Sequence, residues 1–207
     1  MTSTISKPHV VGIGGTLRDG SKGLRALEEA LRAAEEAGAT TELLDLRELD
    51  LPMYEPGKPL EEYGASVEGL MEAMRGADAL VWSTAAYHGT LAGVTKNALD
   101  FTQFMARDEE PYLQHKVVGL VATAGGGMAA VNAINAMVNV VHALRGVVAP
   151  LSVPIQQSWK AFDEEGNVRD EGVAKRLGAL GQLVVEMATK LGSGSEESVG
   201  RELRTVA

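Results

Sequence analysis

Between residues 10 and 191 the chain alternates between two hydrophobic patterns. Short unbroken apolar runs rich in β-branched residues read as buried strands. Longer stretches with apolar positions three and four residues apart read as amphipathic helices. Val10, Val11 and Ile13 open a first strand, and Leu24, Leu27 and Leu31 mark a helix over residues 21–37 that stops at Gly38. A second strand is expected over 40–46, then a loop over 51–59 punctuated by Pro52, Pro56, Gly57 and Pro59. Val67, Leu70, Met71 and Met74 form the stripe of a helix over 60–76. Residues 78–84 give a third strand, continuous in its apolar run as a central parallel strand is. A loop over 85–93 and a helix over 94–105 follow. The fourth strand is 116–123, with a glycine turn at 124–127 and a helix to 144. The fifth is 147–153, with Pro150 and Pro154 at its edges. An ordered loop over 156–167 and a last helix over 170–191 complete the pattern.

Strand and helix thus alternate five times, the signature of an open, doubly wound parallel α/β sheet covered on both faces, a three-layer α/β/α domain. Five strands point to the order 2-1-3-4-5, whose ligand crevice lies beyond the strand carboxyl ends, between strands 1 and 3. One domain over 1–191 is expected, with a disordered Gly/Ser/Glu tail over 192–207.

The loop after strand 1 holds Gly14, Gly15, Thr16, Arg18, Gly20 and Ser21 directly before a helix. Free amides at a helix N-terminus favour an anion, and Thr16, Ser21 and Arg18 add two hydroxyls and a charge. The stretch reads as a phosphate cradle. It is not a Walker loop, because Gly20-Ser21-Lys22 transposes the final Lys and Ser. It is not a dinucleotide fingerprint either, because Leu17 occupies the third glycine position. A single terminal phosphate fits what remains.

Composition narrows the chemistry. The chain of 207 residues carries a net charge of −9, which gives neither a nucleic-acid nor a polybasic membrane footprint. It has no cysteine, so disulfides, thiolate nucleophiles and thiol redox are excluded, and any redox chemistry belongs to a bound cofactor. Residues 1–8 lack the apolar segment of a signal peptide. The uncharged stretch 117–144 is long enough to span a bilayer, but Gly125, Gly126, Gly127 and three asparagines suit a strand, a turn and a buried helix better. A cytoplasmic protein is expected.

The loop after strand 3 continues as Tyr87, His88, Gly89 and Thr90, then Gly93, Lys96, Asn97 and Asp100. With Gly15, Thr16, Arg18 and Ser21 after strand 1, these positions resemble the NAD(P)H-dependent flavin mononucleotide (FMN) reductases of the flavodoxin-like superfamily. Ala85 and Ala86 stand where that family commonly has Pro and an acidic residue. The resemblance implies FMN as cofactor, its phosphate held by Thr16, Arg18, Ser21 and Lys22. It places the flavin ring along Ala85, Ala86, Tyr87, His88, Gly89 and Thr90 on one side and Ala124, Gly125, Gly126 and Gly127 on the other. It further implies ping-pong hydride transfer from NAD(P)H to FMN and on to a small-molecule flavin, quinone, azo or similar acceptor, with no metal and no protein nucleophile.

Some roles stay open at this level. Tyr87 is either a ring contact or a half-buried aromatic; His88 either donates a proton or supplies only its backbone amide. Lys96, Asn97 and Asp100 suit capping and positioning, and Trp159 either packs or borders the site. The helix after the glycine turn bears only Asn132, Asn135, Asn139 and His142 as polar residues, all on one face. Such a helix reads as covered on both sides, which predicts a homodimer or homotetramer, as the resemblance also does. The competing reading is a flavin-binding electron carrier serving a protein partner; Arg18 and the Tyr87–Asp100 motif favour the reductase.

Overall fold

The computed structural model describes residues 7–197, with side chains over 7–192; the start of the N-terminal segment and positions 198–207 of the expected tail lie outside the described residues. The elements run β1 (His9–Gly14), α1 (Lys22–Glu36), β2 (Thr40–Asp45), α2 (Leu46–Leu49), α3 (Ala65–Gly76), β3 (Ala79–Tyr87), β4 (Thr90–Leu91) and α4 (Gly93–Asp100). β5 (Val117–Thr123), α5 (Ala129–Ala143), β6 (Val147–Ile155), α6 (Ser158–Ala161) and α7 (Glu171–Glu197) follow. The five long strands are parallel and lie in the order β2-β1-β3-β5-β6, the expected topology; the short β4 adds only an antiparallel hairpin to the end of β3.

Side-chain alternation along β1 divides the core. Val11 and Ile13 face one hydrophobic cluster with α3, α4 and α5, whereas Val10 faces the other with α1 and α7. Ala26, Ala30 and Ala34 on α1 are wholly buried, so its small-residue face brings α7 close. Among the described residues no helix is long and apolar enough to cross a membrane; the uncharged stretch is β5, a turn and α5, as expected.

Five boundaries differ from the pattern reading, each for a local reason. The helix expected over 60–76 is split: a 3-10 turn at Leu60–Glu62 ends before Gly64, whose φ of 83° restarts the chain as α3. Tyr63 secures that break, its hydroxyl donating to the Glu55 carbonyl at 3.0 Å. The loop expected at 85–93 is largely β-hairpin, because His88 and Gly89 take φ of 51° and 86°, the positive pair of a two-residue type I′ turn. The helix expected over 94–105 is α4 followed by a 3-10 segment at Phe101–Met105. β6 continues through both prolines to Ile155: it is an edge strand with a register shift opposite Val118–Leu120, where a missing N–H costs little. Finally, α7 runs through Gly192 to Glu197, past the break expected at 191.

At the N-terminal edge of the sheet, away from the strand ends that carry the site, Lys116 is 9% exposed. Its ammonium donates to the carbonyls of Arg75 at 2.9 Å and Ala77 at 2.6 Å. Burial lowers its pKa, against the weaker pull of Glu110 and Asp78. Lys116 closes the helix end beneath the sheet and is a structural cation.

Candidate functional site

The carboxyl ends of β1, β3 and β5 open onto a cleft of about 370 Å³. Its lining combines three loops: Thr16, Arg18, Gly20, Ser21, Lys22 and Gly23 after β1; Ala85, Ala86 and Tyr87 at the end of β3; Thr123, Ala124 and Gly125 after β5. Ser158 and Trp159, on α6 beyond β6, complete it.

The first loop is built as an anion cradle. Gly15 takes φ of 94°, and a Cβ there would lie 2.9 Å from the Asp45 carboxylate, so this tight turn requires glycine. The Thr16 hydroxyl accepts from the Arg18 amide at 3.2 Å, rounding the loop toward the helix. Ser21 is the N-cap of α1, its hydroxyl accepting from the Leu24 amide at 3.3 Å. The first turn of α1 has no acidic residue to occupy the positive end of its dipole. Among the described residues no carboxylate pairs with Arg18 or Lys22, in a chain whose net charge is −9. Gly23 seats the helix against the sheet: a Cβ on it would meet Ser83 Oγ at 3.3 Å, and that hydroxyl donates to the Gly23 carbonyl at 2.8 Å. Two unneutralised cations, two hydroxyls and a helix N-terminus fit a phosphate monoester.

The opposite part of the lining is small and apolar. Ala85, Ala86, Ala124 and Gly125 let a flat ring approach the main chain. The hairpin beside it hangs on a buried hydroxyl cluster: Thr84 Oγ1 accepts from the Ala92 amide at 3.1 Å and sits 2.9 Å from Thr95 Oγ1. Replacing Thr84 by valine leaves that amide without its acceptor, and is expected to cost about 1–3 kcal/mol of stability and to free the hairpin. Thermal denaturation and amide exchange at Ala92 check this. Asn97, also buried, holds residues 52–54 by donating to the Pro52 carbonyl at 2.8 Å and accepting from the Tyr54 amide at 2.9 Å. Lys96 and Asp100 pair along α4. Asn97 therefore positions a loop, whereas Lys96 and Asp100 pair only within their own helix.

Of the residues singled out from sequence, Thr16, Arg18, Ser21, Lys22, Ala85, Ala86, Tyr87, Ala124 and Gly125 line the one cleft. His88 and Gly89 form the hairpin turn, Thr90 starts its return strand, and Gly126 and Gly127 are exposed in the turn before α5; none of these five lines it. Gly20, Gly23, Thr123 and Ser158 line it without having been singled out as contacts. Their signal was position: Thr123 ends a strand on the carboxyl edge, and Ser158 follows the next one. Among the described residues no group of three His, Asp or Glu side chains is placed to hold a metal.

Parallel sheet, strand order and an anion cradle beside a flat apolar slot define the class, a flavodoxin-like α/β protein with a phosphate-bearing planar ligand. A sequence profile described as NADPH-dependent FMN reductase matches residues 8–160, and the chain belongs to that family. An NAD(P)H-dependent FMN reductase of Pseudomonas aeruginosa is 31% identical over 165 residues, 78% of this chain and 85% of that protein. An NADPH azoreductase of a Bacillus species is 37% identical over 161 residues, 73% of this chain and 83% of the relative. Among solved structures, the flavoenzyme NAD(P)H:(acceptor) oxidoreductase FerB of Paracoccus denitrificans shares the fold. Its TM-score is 0.69 at 24% identity, over 88% of this chain and 98% of that one. The protein is an FMN-dependent NAD(P)H oxidoreductase.

Proposed function

We propose that the cleft between the three loops is the FMN site, and that the enzyme passes electrons from NAD(P)H to a small-molecule acceptor by a ping-pong route. One observation carries the assignment: Arg18 and Lys22, free of carboxylate partners among the described residues at the acid-free N-terminus of α1, share a cleft with the small floor of Ala85, Ala86, Ala124 and Gly125. Thr16, Arg18, Ser21 and Lys22 hold the phosphate, while the floor residues admit the ring and let it approach the main chain. FMN bound there supplies hydride acceptance and onward electron transfer. The chain's own share is to bind, to orient and to keep bulk water from the ring. His88 serves its turn at positive φ, outside the lining, and no proton is assigned to it.

The acceptor is of the flavin, quinone or azo type, in line with what the names of the relatives report for those proteins. Steady-state rates at several fixed acceptor concentrations test the route: ping-pong kinetics give parallel double-reciprocal lines, and intersecting lines would contradict it. The same proposal takes one domain as the working unit, in the cytoplasm, where NADPH is kept reduced.

It also takes that unit as one subunit of a homodimer or homotetramer. Asn132, Asn135, Asn139 and His142 all lie exposed along α5, and Met128 at its N-terminus is 69% exposed. A neutral amide stripe beside a bare methionine suits a partner surface better than open solvent. Sedimentation at micromolar concentration tests this; a monomer would contradict it.

A further inference from the structure

Two tryptophans occupy opposite situations. Trp82, in the middle of β3, is wholly buried, whereas Trp159 is 54% exposed although it sits on a well-anchored ledge. The ledge, α6, is held from several directions. The Ser158 amide donates to the Ala124 carbonyl at 3.0 Å, and the Arg169 amide donates to the Ala161 carbonyl at 2.9 Å. Ala161 and Phe162, immediately after Trp159 and Lys160, are buried in the core formed with α1 and α7. Core packing therefore fixes the ledge without using the indole.

The indole instead leans over the loop after β5. A Cβ placed on Gly125 would lie 3.5 Å from Trp159 Cζ3, so the ring edge rests above bare glycine backbone. Tyr87, 52% exposed, borders the same cleft from the end of β3. Strand order separates the indole from the charged end: the anion donors follow β1, whereas Trp159 follows β6, at the far side of β5, with Tyr87 on β3 between them. An aromatic face carried on an anchored ledge at the rim of a cleft is placed to be covered by a flat ligand.

We infer that Trp159 is a specificity-determining residue, the aromatic wall of an acceptor subsite that stacks flat aromatic acceptors, with Tyr87 on the facing lip. This rests on the cleft being the FMN site. Stacking on an indole face is selective for shape: a naphthoquinone or an azoarene presents a π-face, whereas a compact inorganic acceptor such as ferricyanide does not. The wall sets which acceptors are held, and the anion cradle, elsewhere in the cleft, sets cofactor affinity.

The test uses the FMN-loaded protein with Trp159→Ala and Trp159→Phe. In the alanine variant the ratio of kcat/KM for a naphthoquinone to that for ferricyanide is expected to fall about tenfold, through KM, and phenylalanine to restore most of it. A second readout needs no turnover. Naphthalene-2-sulfonate, a flat aromatic that the enzyme cannot reduce, is titrated calorimetrically into the loaded protein. Its affinity is expected to drop about tenfold in Trp159→Ala and to recover in Trp159→Phe. An unchanged acceptor ratio together with unchanged probe affinity, with FMN still bound, would overturn the inference and leave the functional reading standing. A loss of FMN affinity equal to the loss of probe affinity would overturn it too, making the indole a cofactor wall. Wild-type protein that takes up no FMN would overturn the functional reading itself, and this inference with it.

Discussion

Arg18→Gln is expected to weaken FMN binding about 10- to 100-fold, and Arg18→Glu to weaken it further, while the melting temperature stays where it is. The asymmetry follows from the surroundings of the side chain. Arg18 is exposed, and it is its backbone amide, not its guanidinium, that donates to Thr16 Oγ1. Among the described residues no carboxylate neutralises its guanidinium, so folding draws little on it, and its charge is available to a phosphate dianion. Gln keeps the hydrogen-bonding capacity and loses the charge. Glu places a negative group beside the phosphate at the N-terminus of α1, where Lys22 and the helix dipole are left to oppose the repulsion. Flavin fluorescence titration against the apoprotein measures the change, and calorimetry measures the stability. Both variants binding FMN as tightly as wild type would remove the phosphate from this loop.

Two glycines on α7 should respond to alanine with opposite signs. A Cβ on Gly181 would lie 2.2 Å from the Ala30 carbonyl oxygen and 2.9 Å from Ala33 Cβ. Backbone oxygen cannot swing aside, so α1 and α7 must separate, and overpacking of this kind costs about 1–3 kcal/mol. At roughly 2–4 °C per kcal/mol for a domain of this size, Gly181→Ala should melt several degrees lower. Gly178 lies one turn earlier on α7, and a Cβ there meets nothing within 4 Å. Removing a helix-interior glycine without a clash stabilises by about 0.5–1 kcal/mol, so Gly178→Ala should melt higher. Because α1 carries Ser21 and Lys22 at its start, Gly181→Ala should also lower FMN affinity, which Gly178→Ala should leave alone. Equal shifts from the two substitutions would contradict the close approach of α1 and α7.

How much of this was legible in the sequence depended on how local the cause was. The central strands showed as apolar runs because both faces of a parallel sheet are buried there, as at Val117–Thr123, whereas the edge strand Thr40–Asp45 is polar and partly exposed. The cradle showed because a strand, a glycine turn and a capped helix are consecutive in the chain. The hairpin did not show: it consists of two residue pairs, Ala86 with Leu91 and Tyr87 with Thr90, too few for any period to register. Helix α6 was hidden for the same reason, since Ser158–Ala161 is about one turn long. The break before α3 turned on Gly64 alone, in a stretch otherwise suited to helix. Asn97 was placed correctly on its helix, but its bonds reach Pro52 and Tyr54, a pairing across the chain that no local pattern carries. Trp159 belongs to the same class: its composition signal was a lone tryptophan in a polar loop, and its meaning came only from the backbone of Gly125 beneath it.

The most direct test is the visible absorption spectrum of the purified protein with FMN, recorded before and after NADPH is added without oxygen. The account predicts a flavin band that remains with the protein through desalting and bleaches when NADPH arrives. A band that persists unbleached would indicate an electron carrier that NADPH does not reduce, and a protein left colourless after soaking in FMN would take the cofactor out of the cleft.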